Sequence, residues 1–175
     1  QETALQYDAI LATGLKVEFI DFAKTGDPYA GNPRAMTEDV RNNNHMWVFS
    51  TRDGFGTDAT FDPRDNPLLG ETAHQISGKT ALANDLFRVV HDFFGHVKEG
   101  VGFRADGEEN AWRSHMAMYS ELARKAATTE TRGQNSWLNF GPRGETNRTA
   151  KVEDTHFADQ KIGLLPDWAI NDVRT

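Results

Sequence analysis

The segment His91-Asp92-Phe93-Phe94-Gly95-His96 sets two imidazoles five positions apart inside an apolar, helix-forming stretch. Imidazole is the commonest side-chain ligand of transition metals, so one local element carrying two of them supplies half a metal site before tertiary structure contributes. Helical geometry limits how this can work. On an ideal α-helix, residues five apart point about 140° away from each other in projection. The rings can converge only if the helix ends near Gly95 or loosens there into a π-type turn. Without that, the pair reads as a core histidine followed by one that interacts with the helix dipole.

Composition narrows what such a site could be. The chain has no cysteine, so any metal must be held by nitrogen and oxygen. A formal charge of -7 argues against a broad grip on a phosphate backbone, and no nucleic-acid partner is expected. No stretch approaches the roughly 20 apolar residues of a membrane span, and the N-terminus lacks the blocks of a secretory signal. The expectation is a soluble, cytoplasmic protein without a membrane partner, acting on a small molecule or a side chain. Oligomeric state is not readable.

At 175 residues a single domain over 1–175 is expected, with one continuous core. It divides into an N-terminal α/β part (1–80), a helical metal-site part (84–140) and an irregular tail (141–175). In the first part, Thr3 to Thr13 has helical apolar spacing through Leu5, Ile10 and Leu11 and stops at Gly14. Lys16 to Phe22 and His45 to Thr51 read as strands, with a short helix from Arg34 to Asn42 between them. Arg52 to Gly70 reads as a long irregular loop of the kind that often binds or covers ligands. Thr72 to Ser77 is a further strand, closed by a turn at Gly78-Lys79. From Asn84 or Asp85, suitable N-caps, the pattern is helical through Leu86, Phe87, Val90 and Phe94. A Gly-rich connection, Glu99 to Phe103, precedes a second helix through Trp112 and Tyr119 and a third from Glu121 to Gly133. The expected fold class is α+β, a helical core carrying a metal site beside a small β-sheet or hairpin layer.

Candidate third ligands are the carboxylates on nearby helices. Glu130 lies at helical spacing from Leu122 and Ala126, which places it on the apolar face of its helix, where an unpaired carboxylate is costly. It is offset either by a metal or by an ion pair to an arginine such as Arg88, Arg113 or Arg132. Glu108 and His115 share one helix face with Trp112 and Tyr119. They are rival ligands or groups that orient the ligands and carry protons. Gln134 to Phe140, alternating amides and aromatics, suits a pocket wall, or equally a loop tied down by buried amides.

The His91 to His96 segment resembles the His-(Glu/Asp)-x-x-Gly-His motif of the aromatic amino acid hydroxylases. Thr128-Thr129-Glu130-Thr131-Arg132-Gly133 is similar to that family's second block, Thr-x-Glu-x-Gly. The resemblance implies a non-haem iron held by His91, His96 and Glu130, a two-His, one-carboxylate set with open metal positions for oxygen and substrate. Val97-Lys98 stands where that family has proline after the second histidine, and no pterin contacts carry over. The Phe87 to Gly141 block also resembles uncharacterised proteins of phages and mobile elements, with no activity implied.

Three functions follow. The first is an Fe(II)-dependent oxygenase or hydroxylase, an oxidoreductase of monooxygenase type, with His91, His96 and Glu130 as ligands and Glu108 or His115 assisting proton transfer. The second is a Zn(II)-dependent hydrolase at the same ligands, although the spacing of the histidines is one residue longer than in His-Glu-x-x-His. The third is a binding or structural module with core histidines.

Overall fold

The computed structural model describes residues 1–29, 32–54, 66–151, 154–158 and 162–171. Residues 55–65, the centre of the expected long loop, lie outside this description. The fold is α+β and mostly helical, with two small sheets of two strands each. The chain falls into two compact units, Gln1–Gly100 and Val101–Thr175. Their border lies in the Gly-rich connection that separates the first two helices of the expected metal-site part.

In the first unit, helix α1 (Glu2–Leu11) is followed by strand β1 (Lys16–Phe19), the single turn α2 (Phe22–Thr25), helix α3 (Pro33–Asn43) and strand β2 (His45–Val48). The strands pair in parallel, from Lys16 opposite His45 to Phe19 opposite Val48. Alternation sets their faces: Val17, Phe19, Met46 and Val48 turn into the core, as a period of two requires. Asn32 caps α3 by accepting from the Arg34 N–H, and Pro33 occupies the first turn, where its missing N–H costs nothing. Asn44 ends the helix in the left-handed region, φ 51°, which asparagine tolerates better than most residues. Asn44 is thus the C-cap that joins α3 to β2.

The spacing of α1 is corrected in one respect. Ile10 is buried with Gln6 and Tyr7, whereas Leu5 is 69% exposed and Leu11 lies at the surface. The helix therefore packs through a stripe that includes an aromatic and an amide, which counting aliphatic residues alone does not find.

The second sheet is a hairpin of β3 (Glu71–Ile76) and β4 (Lys79–Leu82). Sequence patterning found β3 but not its partner, because four residues that open with Lys-Thr carry little alternation. Ser77 and Gly78 both have positive φ, 50° and 74°, as a two-residue hairpin turn demands. The Ser77 hydroxyl also accepts from the Phe19 N–H at 2.8 Å, tying the hairpin to β1.

Helix α5 (Ala83–His91) leaves the hairpin directly and buries Leu86, Phe87, Val89 and Val90. Its start is fixed by Asp85, which is fully buried. One carboxylate oxygen accepts from the Leu82 N–H at 2.8 Å and the other from the Thr51 N–H at 2.7 Å. The first bond satisfies a backbone group at the helix start. The second holds the short helix α4 (Thr51–Gly54) against it. In the second unit, helices α6 (Ala105–Met116), α7 (Glu121–Thr128), α8 (Gln134–Phe140), α9 (Gly144–Asn147) and α10 (Asp167–Ile170) follow. Trp112, Ala111 and Met116 of α6 are fully buried, and the Trp112 indole donates to the Thr128 hydroxyl at 2.9 Å.

Around β2 a polar network closes the α3 connection. Asp39 accepts from the Tyr29 hydroxyl (2.8 Å) and the Asn43 amide (2.8 Å) and contacts His45 Nδ1 (2.7 Å). Burial works to raise the Asp39 carboxyl, but the hydrogen bonds from Asn43, His45 and Tyr29 outweigh it and hold the group below the ordinary carboxylate range. A depressed folded-state pKa adds stability above the unfolded value and loses it as pH falls through the folded one.

Two outcomes are expected. Asp85→Ala leaves two buried N–H groups without acceptors and should destabilise the fold by about 3 kcal/mol, read as a lower midpoint in urea. Asp39→Asn should be less stable than the parent at pH 7, with the gap narrowing below about pH 4 as the parent's own carboxylate protonates. Urea midpoints measured across pH 3–7 check the sign.

Candidate metal centre

Directly after α5 the chain takes a wider turn. Residues Asp92–Val97 form a π-helix, and the Lys98 N–H reaches the Phe93 carbonyl at 3.0 Å, five residues back. In this geometry residues five apart lie one above the other. That resolves the angular objection to the histidine pair. The His91 and His96 rings have centroids 5.1 Å apart with planes at 86°. His96 is 1% exposed and His91 9%.

His91 is held from its own helix. It stacks on Phe87, one turn earlier, with ring planes only 9° apart. Gly95 is buried in the same turn, and the His96 carbonyl accepts from the Gly100 N–H at 2.8 Å, so the backbone beyond the second histidine is fixed too. Asp92 completes the group. One ligand atom from each of His91, Asp92 and His96 lies within 4.8 Å of the others. A first-row ion at about 2.1 Å from each donor needs donors no more than about 4.2 Å apart. Two imidazole nitrogens and a carboxylate oxygen fit a divalent transition ion, and this cluster could hold one.

The sequence reading passed over Asp92 as a ligand. The available signal was its position beside His91. On a regular α-helix consecutive residues diverge by about 100°, so only the wider turn makes that adjacency useful.

Glu108, His115 and Glu130 all belong to the second unit. His115 is fully buried on the expected face of α6 with Trp112, and its ring centroid lies 5.0 Å from that of Tyr119. Glu108 is half-buried on the same helix. Glu130 sits in a second π-helical segment, Thr129–Gly133, where the Gln134 N–H reaches the Thr129 carbonyl five residues back. The apolar face assigned to its helix is corrected: Leu122 is 66% exposed and Ala126 is exposed as well. Glu130 is nonetheless partly buried.

Burial raises the Glu130 carboxyl above its ordinary value. The arginines proposed as its ionic partners are engaged elsewhere. Arg88 donates to the Phe49 carbonyl (3.2 Å), Arg113 pairs with Glu109 (3.4 Å), and Arg132 pairs with Glu109 (2.9 Å) while lying 4.2 Å from the Trp112 ring centroid. Gln134 to Phe140 is helix α8, and its buried amide Asn135 donates to the Ala105 carbonyl at 3.0 Å. The tethering role of these amides is therefore the one observed.

No protein-family model matches the chain, and neither a curated protein nor a solved structure matches it. Among the described residues no helix is long and apolar enough to cross a membrane.

A metal that binds the folded chain and not the unfolded one stabilises it by about 2.7 kcal/mol at one hundred times the dissociation constant. Adding Zn(II), Co(II) or anaerobic Fe(II) to chelator-treated protein should therefore raise the melting temperature by several degrees. The rise should vanish in His91→Ala and in His96→Ala. Calorimetry of the three proteins decides.

Proposed function

We propose that this chain is a mononuclear non-haem Fe(II)-dependent oxygenase or hydroxylase in which His91 and His96 hold the metal together with one carboxylate. The observation that carries the reading is the wide turn at Asp92–Val97, which brings two buried imidazoles and an acid together. Departures of this kind from regular helix concentrate at functional sites. Support for iron comes from the donor set, nitrogen and oxygen without thiolate, and from the resemblance of the two motif blocks to the aromatic amino acid hydroxylases.

The metal, when bound by two imidazoles and a carboxylate, supplies redox activation of oxygen at its open positions. The protein's own residues do the rest. His91, held by its stack on Phe87, and His96, fixed in the same turn, present their ring nitrogens from an environment that excludes most water. In the resemblance the carboxylate is Glu130; in the local cluster it is Asp92. Glu108 or His115 is the proposed carrier of the proton that substrate oxidation releases or consumes.

Protein purified without chelator should contain close to one iron per chain, lost in His91→Ala and His96→Ala. Comparing Asp92→Asn with Glu130→Gln then assigns the carboxylate, since the true ligand's variant loses iron and the other keeps it. Zinc in place of iron, with the same losses, converts the reading to a hydrolase. Full iron in both histidine variants overturns it.

A further inference from the structure

In the first unit, a second feature lies between the end of the α2 connection, α3 and β2. A cavity of about 410 Å³ opens there, lined in part by Tyr29, Glu38, Asp39, Asn42, Asn43 and Trp47. Its volume falls within the range of small-molecule sites, roughly 300–1,000 Å³. Its chemistry is one-sided. Ala35, Glu38, Asp39 and Asn42 follow the i, i+3, i+4, i+7 spacing of one helix face, so α3 turns a small residue, two carboxylates and an amide toward the opening. Arg34 and Arg41, the basic residues of the same helix, are not part of the lining.

The aromatic walls are fixed in place. The Tyr29 hydroxyl donates to Asp39 and accepts from the Trp47 N–H, both at 2.8 Å. Trp47 packs edge-on against His45, ring centroids 4.7 Å apart. Asp39 spends its oxygens on Tyr29, Asn43 and His45 and acts as a held negative charge. Glu38, exposed on the same face, is the carboxylate free to reach a ligand. Fixed rings beside carboxylates, with no cationic side chain among the described lining residues, form the arrangement that attracts an organic cation through ring faces and charge together.

We infer that this cavity is a binding site for a small organic cation, an alkylammonium or alkylguanidinium group, with Glu38 as the ion-pairing residue and Tyr29 and Trp47 as the walls. The site stands on its own residues and does not depend on a metal at His91 and His96. Burial first, then the Asp39 carboxylate and the charge of Asp92, push the Tyr29 phenol up against the lowering effect of the Trp47 N–H.

The test titrates the full chain with n-butylguanidinium, n-butylammonium and, as the neutral control, n-butanol, followed by ligand-observed NMR. Saturable binding of the cations in the millimolar range or tighter is expected, with n-butanol binding weakly or not at all. Glu38→Gln, a change at an exposed position that leaves the fold intact, should weaken the cations roughly five- to tenfold, and Glu38→Lys should abolish binding. Equal binding of n-butanol, unchanged affinity in Glu38→Lys, or no saturation with either cation would overturn the assignment. Because the readout needs no metal, its failure is separate from failure of the oxygenase reading.

Discussion

The candidate chemistry of this chain depends on one departure from helical regularity. If α5 continued with bonds four residues back, His91 and His96 would face different sides of the rod, and one of them would point away from any shared ion. Bonding five residues back at Asp92–Val97 stacks the two positions and draws the intervening acid toward them. The wide turn is itself a less favourable backbone than α-helix, so the surrounding structure must hold it. It does so from both ends. Upstream, α5 is anchored by Asp85 at its start and by a fully buried face through Val89 and Val90. Downstream, Val97 is buried and the Gly100 N–H caps the His96 carbonyl.

The second unit repeats the device in its own surroundings. Glu130 lies in a π-helical segment that follows α7 and runs without a break into α8. The residues around it are committed to other partners: Thr131 bonds back to the Ala127 carbonyl, and Arg132 lies over Trp112 and pairs with Glu109. Arg132 thereby joins α6 to the wide turn while leaving Glu130 outside the ion pair. A carboxyl raised by burial alone favours its neutral form. A positive partner would offset that preference, and a metal ion is the strongest such partner a protein site can hold.

What the sequence could reveal follows from the range of the forces involved. The α3 cap at Asn32-Pro33, the left-handed Asn44 and the hairpin turn at Gly78 are local backbone chemistry, and they are legible one residue at a time. The strand faces of β1 and β2 follow from period-two alternation. The histidine pair was legible as chemistry, and the condition for its convergence, a loosened turn near Gly95, could be stated from geometry. The exposed Leu5, Leu11 and Leu122 were not legible, because a stripe of apolar residues indicates amphipathicity without saying whether a partner covers it. Asp92 was missed for the opposite reason: reading it as a ligand requires the local turn type, which depends on how α5 and the following backbone are packed. Strand β4 was missed because it exists through pairing with β3, and its own four residues carry almost no signal.

The same reasoning separates the two carboxylates that could complete the metal set. Asp92 reaches the histidines through local backbone geometry, so its place in the cluster costs little additional ordering once the wide turn has formed. Its carboxylate is also short, and its main chain is fixed by the turn, which restricts the directions it can offer to an ion. Glu130 has the longer side chain, and because burial raises its carboxyl, giving up its proton to a metal ion costs it more than it costs an ordinary carboxyl. A centre built on Asp92 is therefore local and tolerant of changes in the second unit.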